Sequence, residues 1–209
     1  MMRMREQTNA EDQALQRAEE QERLLLRLAS IPLMTLIIII CSHIAIPTSP
    51  LGIPITMQTL GVLLCALALG PRLGFASIVL YIAMGILGVG VFGEGEAGLP
   101  VLLGQTGGYL LGFLFCQPVA HAMIKRPNAT IRGWLAIFAA GIAVHMVVFL
   151  FGVPWLHWIH TIDEHAQALS WRESIELGFI VFIPGMLLKT GIATVLGVLL
   201  LPSVAKRIW

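Results

Sequence analysis

The sequence predicts an all-α fold of the polytopic membrane class: a bundle of six transmembrane helices with N- and C-termini cytoplasmic. Three observations lead there. Of the 209 residues, 57% are apolar and only 12% charged, against about 25% charged in an ordinary soluble domain, and the mean hydropathy is +0.85. The charges gather at one end: residues 1–27 hold 11 of the 25, leaving 14 for the other 182 residues. The remaining chain divides into apolar runs, most of them long enough to cross a bilayer, with the basic residues between them on one side. This balance excludes a soluble enzyme, a disordered chain and a basic nucleic-acid binder.

Residues 1–28 form the first unit, a cytoplasmic or interfacial helix. Residues 11–28 are rich in Glu, Gln, Ala, Leu and Arg and contain neither Gly nor Pro, so helix propensity is high. Glu19 and Arg23 add one i,i+4 pair, worth a few tenths of a kcal/mol at about the most. Residues 29–209 form the membrane domain. Its first span runs from about Leu28 to Ile46, 19 residues, which cover about 28 Å and just cross the hydrocarbon. Pro32 falls in its first turn, where a missing N–H is harmless. A short second span, Gln58 to Leu69, is separated by the turn signal Gly70-Pro71 from a third, Leu73 to Phe92. Such short spans survive when packed inside a bundle. The fourth runs from Val101 to Met123, the fifth from Trp134 to Trp155 and the sixth from Leu177 to Leu201.

Charge sets the orientation. With the N-terminus inside, Arg72, Lys125, Arg126, Arg132, Lys206 and Arg207 join the five N-terminal arginines on the cytoplasmic side, 11 of 13 basic residues. That is the positive-inside pattern. The outer loops are then 47–57, 93–100 and 156–176. Cys41, Cys65 and Cys116 lie in apolar runs without CxxC spacing and read as small core hydrophobes. The N-terminus lacks the pattern of a signal peptide, and no Walker motif is present, so ATP hydrolysis by that route falls to another chain.

Four groups of residues carry possible chemistry. Residues 46–59 contain three prolines, so they do not form ordinary helix. They bring Thr56, Gln58 and Thr59 to the membrane edge, with Thr56 a candidate N-cap. This is either a rigid connector with a capped helix or a site wall with Gln58 turned towards a ligand. The run Gly104-Gln105-Thr106-Gly107-Gly108-Tyr109-Leu110-Leu111-Gly112-Phe113 holds a GxxxG pair, Gly108 and Gly112, that favours close helix contact. Its glycines also allow close approach to a ligand, and Tyr109 offers an aromatic face with a hydroxyl. Lys189 lies about halfway along an apolar span, with Met186 one turn earlier on the same face. A charge at that depth costs roughly 2.5–3.5 kcal/mol, so it faces the interior and needs a partner. Since the spans contain no Asp or Glu, that partner is a ligand carboxylate, a dipole or water. His145 in the fifth span is either a neutral histidine bonded to backbone or a ligand contact. His157, His160 and His165 lack the carboxylate pattern of a metal site.

In this order the motifs resemble the BioY family, the biotin-specific substrate-binding S components of energy-coupling-factor (ECF) transporters. The matching stretches are Pro54 to Leu64, Leu69-Gly70-Pro71-Arg72-Leu73-Gly74, Gly104 to Phe113, Gly152 to Leu156 and Pro184-Gly185-x-Leu187-x-Lys189. They span most of residues 46–201 and leave the N-terminal 28 residues outside. The resemblance implies a six-helix membrane bundle in the cytoplasmic (inner) membrane. It implies a vitamin pocket near the outer surface, closed by the first and third-to-fourth loops. It further implies a membrane-embedded coupling T subunit and two cytoplasmic ATPase subunits as partners, biotin as cargo, and neither enzymatic activity nor a cofactor. The site it implies comprises Thr56, Gln58, Gly107, Gly108, Tyr109, Met186 and Lys189. The chain departs from the family pattern at three places. Met186 stands where the family has Asp, Gln105 where it has Pro, and Cys41-x-x-x-Ala45 replaces an Ala-x-x-x-Ala seam. Two other readings stay open: the same fold with another small vitamin or carboxylate, and a membrane scaffold or assembly protein without substrate.

Overall fold

The computed structural model describes residues 2–46, 55–125, 133–162 and 168–208. The fold is mostly helical. The described residues contain five helices long and apolar enough to cross a membrane: Asp12–Ser42, Gln58–Ile86, Gly107–Ile124, Trp134–Ile162 and Trp171–Val204.

Helix α1 covers Met2–Ser42 without a break, so the polar head and the first apolar span are one rod. Pro32 therefore lies in the helix interior, not in a first turn as the sequence suggested. Leu24, Leu25 and Leu28 are exposed. Arg27 Nε donates to the carbonyl of Ile208 at 2.9 Å, tying the middle of this helix to the C-terminal part of the chain. A two-residue antiparallel pair follows, β1 (Ala45–Ile46) with β2 (Ile55–Thr56), in the register Ala45↔Thr56 and Ile46↔Ile55.

Helix α2 covers Gln58–Ile86 but is folded in two at Gly70, whose φ of 72° and ψ of −174° are not helical. In a straight helix Cys65 and Gly74 would stand about 14 Å apart. Instead the Cys65 Sγ is 3.8 Å from the Gly74 carbonyl oxygen. Gln58 Nε2 likewise reaches Tyr81 Oη, 23 residues on, at 2.7 Å. The two arms, 58–69 and 71–86, are therefore antiparallel, about 18 and 24 Å long. Glycine is required at the bend twice over. Its φ suits no L side chain, and a Cβ would sit 2.9 Å from the His121 ring nitrogen. The short first arm is embedded in the core, with Val62, Leu63, Cys65 and Ala66 fully buried. Both arms pack on α1: Gly61 lies against Ile38, and Thr35 Oγ1 donates to the Ser77 carbonyl at 3.0 Å.

The third apolar run ends at Ile86 rather than Phe92. Residues 87–98 fold back over the end of α2, held by Gly98 N–H to Gly85 O at 2.7 Å and by Phe92 edge-on to Tyr81 at 5.6 Å. The predicted fourth span is broken into α3 (Leu99–Leu103), α4 (Gly107–Phe115) and α5 (Gln117–Ile124). Gly104 is extended between the first two, and Pro118 supplies no N–H at the start of the third.

Helix α6, Trp134–Ile162, continues past Pro154 into what the sequence assigned to an outer loop. The rest of that loop includes α7 (Trp171–Gly178), opened by a capping box between Ser170 and Glu173. A 3-10 turn, Ile180–Phe182, leads into α8, Ile183–Ile208. The sixth apolar run is thus two helices meeting at Phe179, not one from Leu177. Among the described residues no group of His, Cys, Asp and Glu is arranged for a metal. His165 lies outside the described residues, and His157 stacks on Trp171 at 3.9 Å. The three cysteines are free.

Candidate functional site

One cavity lies where the β1–β2 pair, the start of α2, the 87–98 loop, α4, α6 and α8 converge. Its open volume is about 90 Å³. Most of its wall is apolar, including Phe92, Leu110, Phe113, Val148 and Phe149.

Lys189 supplies the cation. Helix α8 presents it inward, 5% exposed. Its Nζ donates to the Thr56 carbonyl at 2.8 Å and to Thr59 Oγ1 at 2.9 Å. Both partners are neutral oxygens, so among the described residues the ammonium is solvated by dipoles without being neutralised. An ammonium has three N–H donors, and these bonds use two. Gly185, one turn earlier, brings α8 within 3.3 Å of Ile55 as measured from an added Cβ, which holds Lys189 against the strand pair.

Thr56 thus contributes its carbonyl. It is not the N-cap: that position is Met57, without a side-chain bond, although the Thr56 hydroxyl does accept the Gln58 N–H at 3.3 Å. Gln58 is buried and lines the cavity. Tyr81 Oη donates to the Val91 carbonyl at 3.0 Å, so it accepts from the Gln58 amide nitrogen. That fixes the amide orientation and leaves Gln58 Oε1 as an acceptor. Ser42 Oγ donates to the same Val91 carbonyl at 2.6 Å. The chain from Gln58 through Tyr81 to Val91 therefore ties the cavity wall to the loop above it.

Tyr109 lines the opposite side. Its hydroxyl donates to the Gly178 carbonyl at 2.8 Å, and its ring meets Phe149 and Phe182 edge-on or tilted, at 6.3 and 6.4 Å. Met186 is buried with Phe149 and Val153 and also faces the cavity.

Five of the seven candidates, Thr56, Gln58, Tyr109, Met186 and Lys189, therefore meet at one cavity. Gly107 and Gly108 do not line it. A Cβ on Gly108 would strike the Trp155 side chain and stand 2.6 Å from the Phe151 carbonyl, and one on Gly112 would stand 2.7 Å from Val148 Cα. These glycines form the packing seam of α4 on α6, closed by Trp155 Nε1 donating to Gly104 O at 2.8 Å. Sequence reasoning did not include Glu96, Phe92 and Phe182 in the site. Glu96 is the one acidic side chain among the described residues of the wall. It belongs to the predicted outer loop 93–100, among Gly93, Gly95 and Gly98.

The BioY family model matches residues 11–206. The chain belongs to the BioY family. The match begins inside α1, so it takes in much of the N-terminal segment that the sequence motifs left outside. Among its BioY relatives, "Biotin transporter BioY2" of Lactococcus lactis subsp. cremoris (strain MG1363) is 33% identical over 180 residues, 85% of this chain and 91% of the relative. "Biotin transporter BioY" of Thermotoga maritima is 30% identical over 165 residues, 78% of this chain and 89% of the relative. A crystal structure of the S-component for biotin from an ECF-type ABC transporter matches with a TM-score of 0.72 and 26% identity, covering 83% of this chain and 89% of that one. These BioY relatives are transport proteins, and the apolar helices described above make this chain a membrane protein.

Proposed function

We propose that this chain is the substrate-binding component for biotin of an ECF-type transporter. The carrying observation is the Lys189 ammonium, held in an apolar-walled cavity by two neutral oxygens and, among the described residues, with a third donor to spare. Thr56, Gln58, Tyr109, Met186 and Lys189 surround the ligand. Gly107 and Gly108 act from behind, Gly107 by letting the start of α4 lie against Leu102 of α3 and Gly108 by setting how closely α4 approaches α6. The cavity is smaller than the about 300 Å³ at the lower end of small-molecule sites, so entry of a vitamin-sized ligand displaces side chains such as Phe92 and Phe182.

The two arms of α2 each count as a crossing, which gives six spans. Positive-inside charge supports an orientation with both termini in the cytoplasm, and the likeness to the BioY relatives supports the inner membrane. Residues 1–28 enter from the cytoplasmic side, and residues 29–209 are the binding domain. A coupling T subunit and ATPase subunits supply the energy, and the chain needs no cofactor and catalyses no reaction. Met186 favours one other reading, the same carrier with a different small vitamin, because a carboxylate acceptor is missing there. Mass spectrometry of the ligand copurified with the protein decides between them: biotin supports the first reading, and another vitamin replaces it.

A further inference from the structure

His145 is 1% exposed and lines the same cavity from α6. Its Nδ1 lies 2.8 Å from the carbonyl oxygen of Gly141, one turn back on its own helix. A carbonyl only accepts, so Nδ1 carries the proton and Nε2 carries the lone pair. Nε2 is buried and meets no hydrogen-bond partner among the described residues. Natural interiors rarely leave a polar atom so, and the cost of doing so favours a partner that arrives with a ligand. A proton on Nε2 is no remedy, since it would set an imidazolium in the same small cavity as the Lys189 ammonium. The ring edge tied to Gly141 faces its own helix, with Thr190 Oγ1 3.4 Å from Nδ1, so the edge bearing Nε2 is the one turned away from α6.

Resting on the biotin reading above, we propose that His145 is a ligand-reading residue: Nε2 accepts a hydrogen bond from a ureido N–H, while the third donor of Lys189 Nζ meets the neighbouring ureido carbonyl oxygen. A cyclic urea presents a carbonyl flanked by N–H groups, which matches an ammonium donor and an imidazole acceptor on adjoining walls. The place of His145 in the fifth apolar span, opposite α8, lets it reach the ring from the other side.

The test is equilibrium binding of biotin and of its two mono-N-methyl ureido derivatives to the purified full chain in detergent. In the unmodified protein one derivative binds far more weakly than biotin. In His145→Leu, biotin itself weakens by about 5- to 100-fold, as expected for a ligand N–H left unpaired, and the gap between biotin and that derivative narrows by about the same factor. His145→Gln keeps an acceptor oxygen, so its biotin affinity lies nearer the unmodified protein and the gap persists; this variant serves alone if the leucine one does not fold. Unchanged biotin affinity in His145→Leu, or a gap lost in His145→Gln or undiminished in His145→Leu, overturns the assignment. No biotin binding by the unmodified protein would overturn the carrier reading itself.

Discussion

Replacing Lys189 by methionine should separate binding from stability. The side chain keeps nearly its length and loses its charge. Two terms act on the fold. The Thr56 carbonyl loses the donor that stood 2.8 Å away, at about 1–3 kcal/mol for a buried acceptor left unpaired, while the Thr59 hydroxyl can rotate to another partner. Against this, an ammonium no longer has to be buried, a relief of about 2.5–3.5 kcal/mol on insertion scales. The sum runs from about 0.5 kcal/mol destabilising to about 2.5 kcal/mol stabilising, so Lys189→Met should express and melt no more than slightly below the unmodified protein. Binding has no such compensation. A ligand oxygen loses a charge-assisted hydrogen bond worth about 1.5–3 kcal/mol, or about 10- to 150-fold in affinity. Thermal unfolding in detergent and equilibrium binding on the same preparation read the two effects separately. A variant that binds biotin as the unmodified protein does would refute the reasoning. So would one that loses binding only because it unfolds, which would make Lys189 a structural cation.

Gly112→Val should push α4 off α6, because its Cβ would stand 2.7 Å from Val148 Cα; overpacking of this kind costs about 1–3 kcal/mol, seen as a lower melting temperature together with weaker binding, since Tyr109 rides on the same helix. Tyr109→Phe removes the bond to the Gly178 carbonyl and should lower stability by about 0.5–1.5 kcal/mol, with hydrogen exchange rising in α7 more than in α1. Gly70→Ala should destabilise by at least about 1 kcal/mol, since it forces a side chain into left-handed φ and onto His121; a melting temperature equal to the unmodified protein would show that the bend relaxes.

Much of this site was legible because membrane sequences are sparing with polarity. Lys189 stood out as the one basic residue inside an apolar run, and the cost of burying it was enough to turn it inward. Gly70-Pro71 marked the bend because left-handed φ and a missing N–H leave few alternatives to a turn. The division of residues 101–123 into three helices was less visible, since every piece is apolar and helix-forming. Which faces meet was also hidden. A helix such as α6 is apolar all round, so periodicity does not tell which residues face a cavity. His145 and Phe149 reach it while Leu150 is exposed, a distinction made by the packing of α4 and α8. Gly107 and Gly108 show the same gap. Their small size announced a close approach, and only the structure identified the neighbours, Leu102 against Gly107 and Trp155 against Gly108. Glu96 belongs to a loop whose path over α2 depends on the distant contacts of Val91 and Gly98.

Isothermal titration of biotin into the purified, detergent-solubilised chain tests the central claim most directly. A saturable one-to-one isotherm, weakened by about 10- to 150-fold in Lys189→Met, is the predicted result. Heat no greater than dilution, with the protein folded and free of copurified vitamin, would contradict it.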